Sequence, residues 1–145
     1  MTTAGSIAPG GTSHDSRLSR EVRQAMRPGV VSVPGDTSLK QVYRALADHG
    51  VHAVLVVDRK LGTPLGWVSA AGLLRWAVEG SGQRTAAQAI CEPVHTISPS
   101  ASVRDAVEIL LKPGVSHVLV AHYGATSGEG VISDVDVVAL MCGRR

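Results

Sequence analysis

Phenylalanine is absent from this chain of 145 residues, and aromatics make up 3% of it: Tyr43, Tyr123, Trp67 and Trp76. So sparse a set leaves little for the stacking platforms that hold single-stranded nucleic acid. An excess of one charge is lacking too. Fourteen Lys and Arg face twelve Asp and Glu, a net charge of +2, and the basic residues are scattered rather than gathered into a run. A nucleic-acid partner is therefore not expected. The longest nearly uninterrupted apolar stretch, Val51–Val57, contains His52 and is far too short to span a bilayer, so the expectation is a soluble protein with no membrane partner. Cysteine is limited to Cys91 and Cys142, far apart and in no CxxC, which suits reduced thiols and a cytoplasmic location better than a disulfide framework. Residues 1–19 are rich in Gly, Ser and Thr and lack the apolar core of a signal peptide. They read as a flexible tail, removable through about Ser16 without cost in stability.

With 44% hydrophobic residues, the chain has enough apolar content for one compact domain. That content is organised as a duplication. Sliding the sequence by 64 residues lays Val22–Ala77 on Ala86–Met141 without a gap, matching among others Gln24 with Gln88, Ser38 with Ser102, Gly50 with Gly114, Val54 with Val118, Gly66 with Gly130 and Ser69 with Ser133. Each copy carries the same local signals. Ser38 and Ser102, followed three residues later by Gln41 and Asp105, are helix N-caps. Leu39, Val42, Tyr43, Leu46 and Val103, Ala106, Val107, Leu110 then recur at i, i+3, i+4, i+7, the apolar face of a three-turn helix. Gly50 and Gly114 are expected as left-handed C-caps, before the strand-like runs Val51–Val57 and Val115–Ala121. A second short strand, Leu65–Val68 or Glu129–Ile132, runs into Ser69 or Ser133 as cap of a second helix. Short extended pieces, Val30–Val33 and Val94–Ile97, precede each capped helix.

The unit is β-α-β-β-α, and the expected fold is α+β: two tandem repeats, residues 20–80 and 81–145, packed as one pseudo-two-fold globule because about 56 residues are marginal alone. The last helix, with Val135, Val137, Val138, Ala139, Leu140 and Met141, is apolar nearly all round, and Leu73, Leu74, Trp76 and Val78 make its counterpart apolar too. Such helices need burial on more than one side, which points to a homodimer through Leu73–Val78 and Val135–Met141.

These residues resemble paired CBS domains, the tandem modules that form a Bateman unit. The resemblance covers about Arg20 to Cys142. It rests on the duplicated order of elements, on GVHAVLVVD and GVSHVLVAH for the central strands, and on GWVSAAG and GVISDVD for the closing strand-to-helix turns. The last follows the family pattern Gly-hydrophobic-hydrophobic-Ser/Thr-x-x-Asp. The resemblance implies a regulatory module, not an enzyme: one that binds AMP, ADP, ATP or S-adenosylmethionine between the copies and signals to a separate effector protein. It implies that Asp136 accepts hydrogen bonds from ribose hydroxyls, that Ser133 and the amides after it suit a phosphate, and that Val94, His95, Thr96, His117 and Val118 lie beside the adenine. In the first copy Gly72 stands where Asp136 does in the second, so that half-site, with Ser69, is expected to be weak or vestigial.

Simpler roles exist for the same residues. Ser133 caps its helix with or without a ligand, and a carboxylate at Asp136 complements a helix dipole. His49 and His52 have no further ligand at metal-binding spacing, so no metal site is expected. Two rival functions remain: a ligand-free dimerisation or docking module, and a phosphatase with Asp134 as nucleophile and Asp136 as acid. The first copy, GWVSAAGLL, keeps the fold signals without either carboxylate, which argues against the phosphatase.

Overall fold

A computed structural model describes residues 15–125 and 127–144. The elements run β1 (Arg27–Pro28), β2 (Ser32–Pro34), α1 (Leu39–His49), β3 (Ala53–Val57), β4 (Pro64–Ser69), α2 (Ala70–Glu79), β5 (Thr96–Ile97), α3 (Val103–Leu110), β6 (His117–Val120), β7 (Gly130–Ser133) and α4 (Asp134–Met141). Single 3-10 turns lie at Ser16–Ser19, Val22–Gln24 and Ala86–Ala89. Among the described residues no helix is long and apolar enough to cross a membrane.

The expected caps form in detail. Ser38 Oγ accepts from Gln41 N and Ser102 Oγ from Asp105 N, and Gly50 closes α1 at φ 61°. Gly114 does not act as the counterpart C-cap. The helix α3 ends at Leu110 with Leu111 as its cap, and Gly114 turns the chain further on, at φ 76°. Pro113, which lacks an N–H and disfavours helix in the residue before it, stops α3 short of the glycine.

The two sheets are three strands in order β2-β3-β4 and four in order β1-β7-β6-β5. In each copy the entry strand runs parallel to the central strand, and the closing strand pairs antiparallel to it. The fourth strand of the larger sheet, β1, comes from the first copy and pairs antiparallel with β7 of the second.

This crossing is reciprocal. Val22 and Ala25 are buried with Ile97, Val103, Ala106, Val118, Val120, Ile132 and Leu140 of the second copy. Ala86 and Ala89, at the entry to the second copy, are buried with Val33, Leu39, Val42, Val54 and Leu73 of the first. Backbone bonds repeat at the 64-residue spacing: Val22 N donates to Ala101 O as Ala86 N does to Thr37 O, both at 2.8 Å, and Arg23 N to Pro99 O as Ala87 N does to Gly35 O. Each copy thus completes its core with the other's entry turn. Burying Val22 alone contributes about 1.5–3 kcal/mol. A third cluster, Ala53, Leu55, Trp67 and Leu119 with Val30, Val94 and Val131 packed around it, joins the copies face to face.

The crossing also explains the paired glycines that open each Gly-hydrophobic-hydrophobic-Ser turn. A Cβ on Gly66 would lie 2.3 Å from Ile90 Cγ2, and one on Gly130 would lie 2.4 Å from Arg27 O. In both, the other copy's entry segment passes directly over the glycine.

Residues 15–19, expected to belong to the tail, pack instead on the second copy. Leu18 lies against its core, and Arg17 Nη1 donates to Met141 O at 2.6 Å, satisfying a carbonyl at the end of α4. The remainder of that stretch, residues 1–14, lies outside the described residues.

Candidate functional site

A cleft of about 630 Å³ opens between the copies, within the size range of small-molecule sites. From the first copy it collects the entry segment Arg27–Ser32, His49 and His52 around the C-terminal end of α1, and Trp67 of β4; from the second it takes His117 of β6, Ser133 at the end of β7 and Asp136 of α4. Polar groups from both copies thus converge on one apolar-walled space.

Asp136 is 3% exposed, and its Oδ2 accepts from Ser133 N at 2.9 Å and Ser133 Oγ at 3.0 Å, while Ser133 Oγ accepts from Asp136 N. This is a complete capping box, formed because Ser and Asp stand at the cap and third positions of α4. It pins the carboxylate at the cleft wall, beside the amides that open the helix. Asp134 is exposed and accepts from its neighbour Val135 N, so the two acidic residues do not meet over a common point.

Of the seven residues expected at the site, Asp136, Ser133 and His117 line the cleft and Val94, His95, Thr96 and Val118 do not. Val118 is fully buried in the second core. Val94 packs in the cluster joining the copies; His95 O and Thr96 serve the β5–β6 pairing around Leu119. The crossing is the reason. Because residues 22–28 pass to the second copy, the segment facing Asp136 is Val30–Ser32, the counterpart of Val94–Thr96 at 64 residues' distance. Ser69 and Gly72 belong to the pseudo-symmetric half-site, where Gly72 faces Cys91 at the head of that counterpart segment.

Two residues unremarked in the sequence organise the cleft's inner wall. Glu92, 8% exposed, pairs its backbone with Trp67 through Trp67 N to Glu92 O at 3.0 Å, and its carboxylate accepts from Ser116 N at 2.9 Å and from Ser116 Oγ. Ser116 Oγ lies 2.9 Å from His117 Nδ1, and His117 Nδ1 is 3.9 Å from Glu92 Oε2. Since the serine proton points to the carboxylate, the imidazole donates from Nδ1 to Ser116 Oγ, which leaves Nε2 as the acceptor in the neutral ring. Burial, the largest single influence on Glu92, pushes its carboxyl up; the imidazole of His117 close by and the two bonds from Ser116 together outweigh it and hold the group down at about 2. The Trp67 ring lies against His117 at 5.5 Å between centroids, and its indole N–H has no partner among the described residues. Nothing in periodicity or spacing marks Glu92. An acidic residue in a Pro-flanked loop looks solvated until the fold brings Ser116 to it.

Known proteins share this architecture. The CBS domain family model matches twice, over residues 21–79 and 86–143. The CBS domain of a bacterial CNNM/CorC family Mg2+ transporter, solved in complex with ATP, superimposes with a TM-score of 0.74 at 19% identity, covering 90% of this chain and 92% of that one. A CBS domain protein from Pyrobaculum aerophilum complexed with AMP gives 0.71 at 21%, covering 86% and 97%. A CBS-domain containing protein from Agrobacterium tumefaciens gives 0.70 at 24%, covering 83% and 98%. At these identities the likeness is one of fold. No curated protein matches the sequence.

Proposed function

The chain belongs to the CBS domain family as a tandem pair, and from that premise we propose that it is a regulatory module whose cleft binds one adenosine-containing ligand and whose occupancy is read by a separate effector protein. The observation that carries this reading is the convergence, across the copies, of Asp136, Ser133 and the Val30–Ser32 segment on a space of nucleotide scale. The fold neighbours solved with ATP and with AMP support the ligand class. A carboxylate fixed by a capping box is a preorganised acceptor for vicinal ribose hydroxyls, and the opening amides of α4 suit a phosphate. Cleft residues come from both copies, so a ligand that bonds both favours the relative position in which its contacts are best. That differential contact is what an effector could read.

Titration calorimetry with AMP and ATP tests this. Two hydrogen bonds to a carboxylate, each about 1.5–3 kcal/mol net, imply that Asp136→Ala weakens binding roughly a hundred- to ten-thousandfold. No binding of any adenosine ligand to the intact chain would defeat the reading.

A second reading is favoured by a different observation. Leu74 and Val78 on α2 are 66% and 88% exposed, and Val135 and Val138 on α4 are 61% and 65% exposed, at i, i+4 and i, i+3 spacings that put each pair on one helix face. We propose that these faces pair two copies of the chain. Under the docking-module reading this pairing is the function itself; under the nucleotide reading it carries the signal.

A further inference from the structure

We propose that Cys91 is an internal plug that closes the second half-site and limits each chain to one ligand; the stoichiometric part of this rests on the adenosine reading above. The two half-sites share a serine at the start of a helix. In the second copy, Ser133 Oγ accepts from Asp136 N and donates to Asp136 Oδ2 at 3.0 Å. In the first, Ser69 Oγ accepts from Gly72 N at 3.0 Å, and the partner of its hydroxyl is Cys91 Sγ, at 3.3 Å. The thiol has taken over the bonding partner that the carboxylate supplies in the other copy.

The space is taken as well. A Cβ on Gly72 would stand 2.8 Å from Cys91 Sγ and 3.3 Å from Cys91 Cβ, closer than the sulfur permits without a shift. The sulfur is held in place from its own side, because Cys91 N donates to Trp67 O at 3.0 Å and Sγ lies 3.6 Å from the same carbonyl. Gly72 has ordinary helical backbone, so no left-handed turn requires glycine there; the sulfur does. In the open cleft the residue 64 positions before Cys91 is Arg27, which lines the wall and leaves Asp136 its place. Closure therefore lives in a pair of positions, 72 and 91, and neither alone reopens the half-site.

Thermal unfolding of Gly72→Ala, Cys91→Ala and the double variant tests the contact, and Cys91 is exposed, so its truncation opens no core cavity. Alanine is the better helix former. Gly72→Ala should lower the melting temperature by several degrees while Cys91 is present, and leave it unchanged or raised in the Cys91→Ala background; equal shifts in the two backgrounds would overturn the plug. Titration calorimetry with AMP reads the consequence. One AMP per chain is expected for the wild type and for Gly72→Asp, and two for Gly72→Asp with Cys91→Ala. Two in the wild type, or one in the double variant beside one in the wild type, would overturn the plug as the cause of the stoichiometry. A wild type that binds no AMP would defeat the adenosine reading, and the thermal cycle would still decide the contact.

Discussion

Replacing Glu92 with glutamine keeps the size and an acceptor for Ser116 N but removes the charge around which the inner wall of the cleft is built. The carboxyl lies at about 2 in the folded chain against an ordinary 4.5, so the native state favours the ionised form. A depressed carboxylate contributes stability above its unfolded value, and the contribution disappears as pH falls through the folded one. At 1.36 kcal/mol per unit the full contribution is about 3 kcal/mol near neutrality. Roughly half of it is gone by about pH 3 and nearly all by about pH 2. Glutamine retains part of the bonding, so Glu92→Gln should cost about 1–3 kcal/mol at pH 7, a fall in melting temperature of several degrees for a chain of this size. The assay is urea unfolding of both proteins from pH 7 down to pH 2.5. The two stability curves should converge as the pH drops, because only the wild type loses the Glu92 contribution. Curves that stay parallel through pH 5 to 2.5 would refute the reasoning, and would mean that burial cancels the bonds from Ser116 and the nearby imidazole of His117.

Gly130→Ala would set a methyl 2.4 Å from Arg27 O and 2.7 Å from Met26 Sδ, so it should destabilise by about 1–3 kcal/mol or more and loosen the β1–β7 pairing, detectable as faster amide exchange at Gly29, whose N–H bonds Glu129 O. Val138→Glu should shift a dimer toward monomer in light scattering, since it buries an unpaired charge if the α4 faces meet; an unchanged dimer would place the contact elsewhere. Removing residues 1–19 should lower the melting temperature by a few degrees, because Leu18 leaves the second core and the end of α4 loses Arg17; a loss within about a degree would show that residues 15–19 contribute no packing.

What the sequence determined by itself is whatever depends on near neighbours. The helix starts at Ser38, Ser102 and Ser133, the apolar faces of α1 and α3 and the strand runs around Val54 and Val118 follow from caps and periodicities of a few residues, and the duplication exposed them twice. The resemblance to paired CBS domains, not local spacing, pointed to Asp136, Ser133 and His117; what spacing gave was the box that the first two form, and the fold brings all three to the cleft. The tertiary structure decided which copy each entry segment serves. Segments 22–28 and 86–92 contain too few apolar groups to prefer a core on their own, so their destination is set by the cavity that the other copy leaves open. That choice placed Val30–Ser32 rather than Val94–Thr96 opposite Asp136. It also set Glu92 on Ser116 and Cys91 on Gly72, contacts across 24 and 19 residues that carry no periodicity, because a loop side chain meets its partner only after two strands and a crossing have been fixed.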